Sequence, residues 1–164
     1  MGLRLEDIEL IKQLKYRYQL GIDTCDLATL ETLFIEEASA IYVSDDHTYQ
    51  MKGRKEIIAF IKASFHAGMV TSHRVHEPIV AVAEDGLTAE GQFMLEDYYY
   101  SIETNKALRG AAIYRDKFVL RESGWKFAHV SFTRLFAQRF DEQPHELTSH
   151  LLGKQRAVAT TPAA

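Results

Sequence analysis

The sequence contains very little cysteine and proline, with one cysteine and three prolines in 164 residues. Because Cys25 stands alone, no disulfide can form within the chain, which is the usual state of proteins in a reducing cytoplasm. No run approaches the roughly 18 apolar residues that a membrane-spanning helix needs. The N-terminal stretch MGLRLEDIELIKQLK carries acidic side chains, unlike a secretory signal. We therefore expect a cytoplasmic protein with no membrane partner.

Charge clusters and cofactor motifs are also missing. The 19 basic and 23 acidic residues give a formal net charge of −4, and the basic residues are dispersed along the chain. This distribution argues against a nucleic-acid partner. The sequence has no glycine-rich phosphate loop, no nucleophile elbow and no metal-ligand spacing of histidines. If the chain is an enzyme, the remaining class is acid–base chemistry without a cofactor or a metal.

The period of the apolar residues changes from helical to extended along the chain. Helices are predicted over residues 5–22, in a shorter segment that Asp26 caps, and after Gly53. Strands are predicted over residues 38–43, 49–52, 69–83, 87–102, 107–121 and 125–139. This order predicts an α+β domain, in which about five or six strands form a cone-shaped, curved antiparallel sheet and the N-terminal helices cover its open mouth. The domain is expected to span residues 1–142, with a mobile C-terminal tail over residues 143–164.

Two charged residues interrupt strands whose other alternate residues are apolar. Asp97 and Arg134 continue the runs Ala89, Gly91, Phe93, Leu95 and Ala128, Val130, Phe132, Phe136. Alternate side chains of a strand share one face, so both charges are predicted to point into a core or cavity. An unpaired buried charge is costly, so each should have a partner or a function.

Three further polar residues are candidates for the same site. Tyr18 lies on the apolar stripe of the first helix, and Asp23 follows five residues later at the helix exit. His73 lies in the middle of a strand, where Asp97 and Asp23 could each hold one nitrogen of its ring and raise its basicity. The alternatives are a core tyrosine, a turn aspartate and a structural histidine.

Arg134 also has two interpretations. It could form a structural pair with a buried carboxylate, either Asp97 or Asp116. It could instead present its guanidinium to an oxyanion or to a carboxylate of the substrate. Tyr114 and Asp116 are interpreted as a cross-strand hydrogen-bonded pair.

The motifs as a whole resemble the SnoaL-like branch of the NTF2-like superfamily, whose members are α+β cone-shaped barrels. The resemblance covers about residues 5–140 and rests on four segments: KYRYQLGIDTCDLATLETLF, TSHRVHEPIV, GQFMLEDYYY and GAAIYRDKFVLRESGWKFAHVSFTRLF. Within the superfamily, the five polar positions are most similar to those of the bile-acid 7α-dehydratases. Scytalone dehydratases and lindane dehydrochlorinases resemble the chain more distantly.

This resemblance implies a catalytic role for Tyr18, Asp23, His73, Asp97 and Arg134, with His73 as the base. It implies a cofactor-independent lyase that removes water from a small hydrophobic organic substrate, of a cyclic, steroid-like or polyketide-like kind. Two alternatives stay open: a double-bond isomerase in the same cavity, and a non-catalytic binding module or subunit. Relatives form dimers or trimers, so a homodimer or a homotrimer is expected.

Overall fold

The computed structural model describes residues 3–44, 47–142 and 147–152, in which three helices and six strands are found. The helices are α1 (Leu5–Thr24), α2 (Leu27–Leu33) and α3 (Arg54–Ser64). The strands are β1 (Phe34–Ser44), β2 (His47–Lys52), β3 (Met69–Val82), β4 (Thr88–Ser101), β5 (Lys106–Arg121) and β6 (Gly124–Asp141). The predicted elements are all present, and their ends differ from the prediction by a few residues in most cases.

The junction between α1 and α2 is built by local backbone chemistry. Cys25 adopts a left-handed conformation with φ of 53° and ends α1. Asp26 then caps α2, because its side chain accepts a hydrogen bond from the backbone N–H of Thr29 at 3.0 Å. The predicted N-cap is therefore confirmed, and β1 begins directly after α2, at Phe34. The junction leaves Asp23 in the last turn of α1, next to the sheet.

The six strands form one sheet in the order β2-β1-β6-β5-β4-β3. Strands β3 to β6 are the predicted antiparallel meander, and β1 and β2 form an antiparallel hairpin. The hairpin joins the meander through a parallel pairing of β1 with β6, which the sequence did not predict. The helices pack against this curved sheet, so the predicted α+β, NTF2-like architecture is confirmed.

Strand β6 contains two bulges, at Ala128 and at Leu135, where one residue has no partner on β5. A bulge places an extra residue in one strand and so reverses the alternation beyond it. The prediction that alternate residues from Ala128 to Phe136 point inward is therefore correct only for the middle of this segment. Val130 is fully buried and the Arg134 side chain is 10% exposed, whereas Phe136 is 58% exposed. The two bulges let one strand change which residues face inward.

The hydrophobic core lies between the helices and the sheet, and its fully buried members come from both. Ile11 of α1, Leu30 of α2 and Ile61 of α3 pack in one cluster with Phe93 and Phe127 of the sheet. Within the described residues, no helix is both long and apolar enough to cross a membrane. Most of the predicted tail, at residues 143–146 and 153–164, lies outside the described residues.

Candidate active site

A cavity of about 370 Å³ opens between α1, α3, the hairpin and the meander. Four of the five predicted site residues line it: Tyr18, His73, Asp97 and Arg134. The lining also contains Ile22, Tyr42, Ser44, Tyr49, Phe60, Ser64, Phe65, Tyr99, Leu108, Tyr114 and Phe132. This is a mostly aromatic cavity with a few polar groups, which is the usual composition of a small-molecule site.

Asp23 lies behind this wall and holds His73 through two hydrogen bonds. Its Oδ1 is 2.6 Å from Nδ1 of the His73 ring, and its Oδ2 accepts the backbone N–H of His73 at 2.8 Å. The hydroxyl of Thr71 donates a third hydrogen bond to Oδ1 at 2.8 Å. Thr71 and His73 are two residues apart on β3, so their side chains share a face and reach the same carboxylate.

These hydrogen bonds keep Asp23 ionised. Burial raises the pKa of the Asp23 carboxyl, but the hydrogen bonds and the charge interaction with His73, with help from Thr71, lower it more, and the net pKa lies below its ordinary value. An ionised Asp23 accepts a proton-bearing Nδ1, which leaves Nε2 of His73 as the basic nitrogen. Among the described residues, none is hydrogen-bonded to Nε2, and the ring of Phe65 packs edge-on against the imidazole at 5.5 Å.

Asp97 lies directly opposite His73 in the pairing of β3 with β4. Its carboxylate is nevertheless occupied by Arg134, which donates from Nη1 at 2.6 Å and from Nη2 at 2.9 Å. The structure therefore differs from the expectation that Asp97 holds a nitrogen of His73, since only Asp23 does so. Of the two partners considered for Arg134, Asp97 is the one observed. The bidentate pair is a fixed wall of the cavity with its charges largely neutralised.

Gly110 makes room for this ion pair. It pairs with Asp97 across β4 and β5. A Cβ atom at this position would lie 2.8 Å from Nη1 of Arg134 and 2.5 Å from the carbonyl oxygen of Phe136. Any side chain larger than hydrogen would therefore displace the guanidinium or the strand.

Tyr18 and Tyr42 both line the cavity and are hydrogen-bonded to each other, with 2.6 Å between the two hydroxyl oxygens. Burial raises the pKa of Tyr18 well above its usual value, so the phenol remains protonated. Two hydroxyls that share one hydrogen bond have one proton left over, and that proton is free to be donated into the cavity. The sequence interpretation did not include Tyr42, although it follows Ala38 and Ala40 at every second residue of β1 and both alanines are fully buried.

A second buried ion pair was also missed. Lys15 and Asp116 are both fully buried, and Nζ of Lys15 lies 2.8 Å from Oδ2 of Asp116. Asp116 is therefore the partner of a helix residue, which corrects its interpretation as the cross-strand partner of Tyr114. The signal was present in the sequence, because Lys15 lies four residues after Ile11 and three before Tyr18, on the apolar stripe of α1.

No group of three His, Cys, Asp or Glu side chains that could bind a metal is present in the part of the chain that the structure describes. The polar groups of the cavity form pairs instead: Asp23 with His73, Asp97 with Arg134, and Tyr18 with Tyr42. The Asp23–His73 and Tyr18–Tyr42 pairs can hold and move a proton, whereas the Asp97–Arg134 pair cannot, because a guanidinium stays protonated in proteins.

The family model of the SnoaL-like domain matches residues 3–131, which is most of the chain. The chain belongs to the SnoaL-like domain family. No curated protein is a significant match to it. The family assignment confirms the resemblance inferred from the motifs, whereas the particular similarity to bile-acid 7α-dehydratases stays a prediction.

Solved structures support the same fold for this SnoaL-like protein. A candidate aromatic ring hydroxylase from Novosphingobium aromaticivorans aligns with a TM-score of 0.75 and 21% identity, over 85% of this chain and 96% of the other. A candidate scytalone dehydratase from the same organism aligns with a TM-score of 0.73 and 15% identity, over 88% and 97%. A hexachlorocyclohexane dehydrochlorinase (LinA type 2) aligns with a TM-score of 0.73 and 17% identity, over 84% and 90%. At these identities the likeness establishes the NTF2-like fold and not the activity.

Proposed function

We propose that this SnoaL-like protein is a cofactor-independent lyase that eliminates water from a neutral, hydrophobic, cyclic hydroxy ketone. The observation that carries the proposal is the Asp23–His73 pair on the wall of an aromatic cavity, with Nε2 of His73 available as a base. The fold is shared with a candidate scytalone dehydratase and with a dehydrochlorinase, and both of these names denote eliminations.

In the proposed reaction, Nε2 of His73 removes a proton from the carbon next to the substrate carbonyl. Asp23 accepts the hydrogen bond from Nδ1 and stabilises the imidazolium that forms. The remaining O–H of the Tyr18–Tyr42 pair donates a hydrogen bond to the carbonyl oxygen, where the negative charge of the enolate develops, and keeps its proton throughout. The C–O bond to the hydroxyl group then breaks, and protonated His73 returns its proton to the departing hydroxide, so that water leaves and a double bond remains.

The charge distribution of the cavity supports a neutral substrate. The guanidinium of Arg134 is bound on both Nη atoms by Asp97, and both side chains are at most 10% exposed. Nε of Arg134 is buried without a hydrogen-bond partner among the described residues, but the Asp97 carboxylate already neutralises the guanidinium and would repel a carboxylate or a phosphate of the substrate. The remaining lining is largely Phe and Tyr, whose rings favour cyclic, apolar molecules.

The test is a panel of neutral cyclic β-hydroxy ketones, with the products analysed by mass spectrometry. We expect the loss of one water from at least one member, and a decrease of ~10²–10⁴-fold in kcat with His73→Ala. His76→Ala is the matched control, because His76 lies on the same strand outside the cavity lining. Turnover that survives in His73→Ala would remove His73 from the mechanism.

The same residues could serve a double-bond isomerase, in which His73 returns the proton to another carbon and no water is lost. A product of unchanged mass would identify this reaction. A non-catalytic binding module would bind the ketones tightly and release them unchanged, and His73→Gln would then alter only affinity or stability. The free Nε2 of His73 beside a cavity favours the two enzymatic alternatives.

Self-association as a dimer or trimer stays a prediction.

A further inference from the structure

The Lys15–Asp116 pair lies directly behind the cavity, and the proposed reaction does not use it. Both side chains are fully buried. Transferring two ions from water into the protein interior carries a large desolvation cost. Apolar residues of similar volume often stabilise a fold as well as a buried ion pair does, or better. Stability alone is therefore a weak explanation for this pair.

The ammonium group of Lys15 is packed against aromatic rings. Its Nζ lies 3.1 Å from the centroid of the Tyr114 ring and 4.9 Å from that of Tyr18. Tyr114 itself lines the cavity and packs edge-on against the ring of Phe132 at 5.5 Å. The Tyr114 ring thus has a cation on one face, while the residue forms part of the cavity wall.

Asp116 holds the ammonium group of Lys15 in position and is itself anchored to the sheet. Asp116 lies two residues from Tyr114 on β5, so both side chains share a face. Oδ2 of Asp116 contacts Lys15, while Oδ1 accepts the backbone N–H of Ser131 on β6 at 3.3 Å. The carboxylate is therefore anchored to the next strand and holds the cation in place.

We propose that Tyr114 is a further hydrogen-bond donor to the substrate's carbonyl oxygen, and that Lys15, held by Asp116 against the Tyr114 ring, is a positioning residue that strengthens this donor. A cation on the face of a ring withdraws electron density from it, and the low dielectric of the interior preserves the effect. The inference rests on the proposed function in one respect: the oxygen atom that accepts the hydrogen bond from Tyr114 is the carbonyl oxygen of the substrate.

The protonation states agree with this arrangement. Burial lowers the pKa of Lys15 to about 8 and raises the pKa of Asp116, and each charge opposes the shift of the other; the 2.8 Å contact between Nζ and Oδ2 is that of an ion pair. Burial raises the pKa of Tyr114 well above its usual value, which keeps the phenol protonated and able to donate.

The experiment uses 1-tetralone labelled with ¹³C at its carbonyl, a neutral bicyclic ketone with no hydroxyl group to eliminate. Its carbonyl stretch is recorded by infrared difference spectroscopy in the full-length protein, because this band moves to lower wavenumber as hydrogen bonds to the oxygen strengthen. The variants are Tyr114→Phe, which removes only the hydroxyl, and the double variant Lys15→Met with Asp116→Leu, which removes both charges together and so leaves no unpaired ion. Ile11→Val, a conservative change of a fully buried residue one turn earlier on α1, is the control.

We expect the band of the wild type at the lowest wavenumber, and a shift to higher wavenumber in both Tyr114→Phe and the double variant. Affinity should fall about tenfold in Tyr114→Phe, as for the loss of one hydrogen bond. Combining all three substitutions should move the band no further than Tyr114→Phe alone, because Lys15 acts through the Tyr114 hydroxyl. Ile11→Val should leave the band unchanged.

Three results would overturn the proposal: no binding of 1-tetralone to the wild type, a band that Tyr114→Phe does not move, or a charge-pair effect that persists in full without the Tyr114 hydroxyl. Since 1-tetralone cannot lose water, none of these depends on turnover. A protein that shows the expected bands but converts no hydroxy ketone would refute the proposed lyase activity and leave this inference standing.

Discussion

Separating Asp97 from Arg134 should destabilise the protein strongly, whereas removing both together should not. The two side chains are 6% and 10% exposed and share two hydrogen bonds of 2.6 and 2.9 Å. Removing one partner leaves a buried, uncompensated charge, which costs ~3–5 kcal/mol. For 164 residues this corresponds to a decrease in Tm of roughly 9–15 °C.

The variants are Arg134→Met, Asp97→Leu and the double variant, measured by urea and thermal unfolding at neutral pH. We expect each single variant to lose most of that free energy of unfolding, and the double variant to return to within about 1 kcal/mol of the wild type. Single losses below about 1 kcal/mol that simply add in the double variant would refute the reasoning. The double variant also separates the two interpretations of Arg134. If its stability returns but turnover does not, the pair contributes to the reaction as well as to the fold.

Substitutions at three other positions test the packing, the electrostatics and the helix ends. Gly110→Ala should cost ~1–3 kcal/mol in thermal unfolding, because its Cβ would lie 2.8 Å from Nη1 of Arg134; an unchanged Tm would contradict the close packing. Asp23→Asn should reduce the free energy of unfolding at pH 6. Because the folded-state pKa of Asp23 is lowered, the difference between the variant and the wild type should shrink as the pH falls below 3.8, the ordinary pKa of the carboxyl. A difference that does not change with pH would exclude this charge effect. Asp26→Ala should cost ~1 kcal/mol and Asp26→Ser much less, and equal losses in the two variants would exclude N-capping.

The fold was predictable where the local pattern is strong. Long alternating runs with polar turns between them predict four strands in an antiparallel meander, and this signal is local to residues 69–139. The parallel pairing of β1 with β6 has no local signal, because it depends on which strand edge is left free once the meander has formed. The bulges at Ala128 and Leu135 were also missed. A signal was present at Ala128, because Trp125 and Phe127 alternate out of phase with Val130 and Phe132.

The candidate site was predictable to a similar extent. Charges in apolar runs predicted that Asp97 and Arg134 point inward, and the structure pairs them with each other. Which carboxylate holds His73 was not predictable, because Asp23 reaches it from α1 across 50 residues of sequence. Lys15 was overlooked because a lysine on a helix is usually solvated, although its spacing placed it among the buried residues.

The parallel pairing of β1 with β6 also determines the order in which the cavity can be completed during folding. Ser39 and His129, hydrogen-bonded to each other at 2.7 Å across these strands, are 90 residues apart. Closing a loop of this length costs entropy before its contacts are made, so we expect this pairing to form late in folding. Tyr42 pairs with Phe132 of β6, so this anchor of the cavity wall is absent until β6, the final strand, has docked. During synthesis on the ribosome, the half of the cavity that contains Tyr42 must wait for nearly the whole domain to emerge.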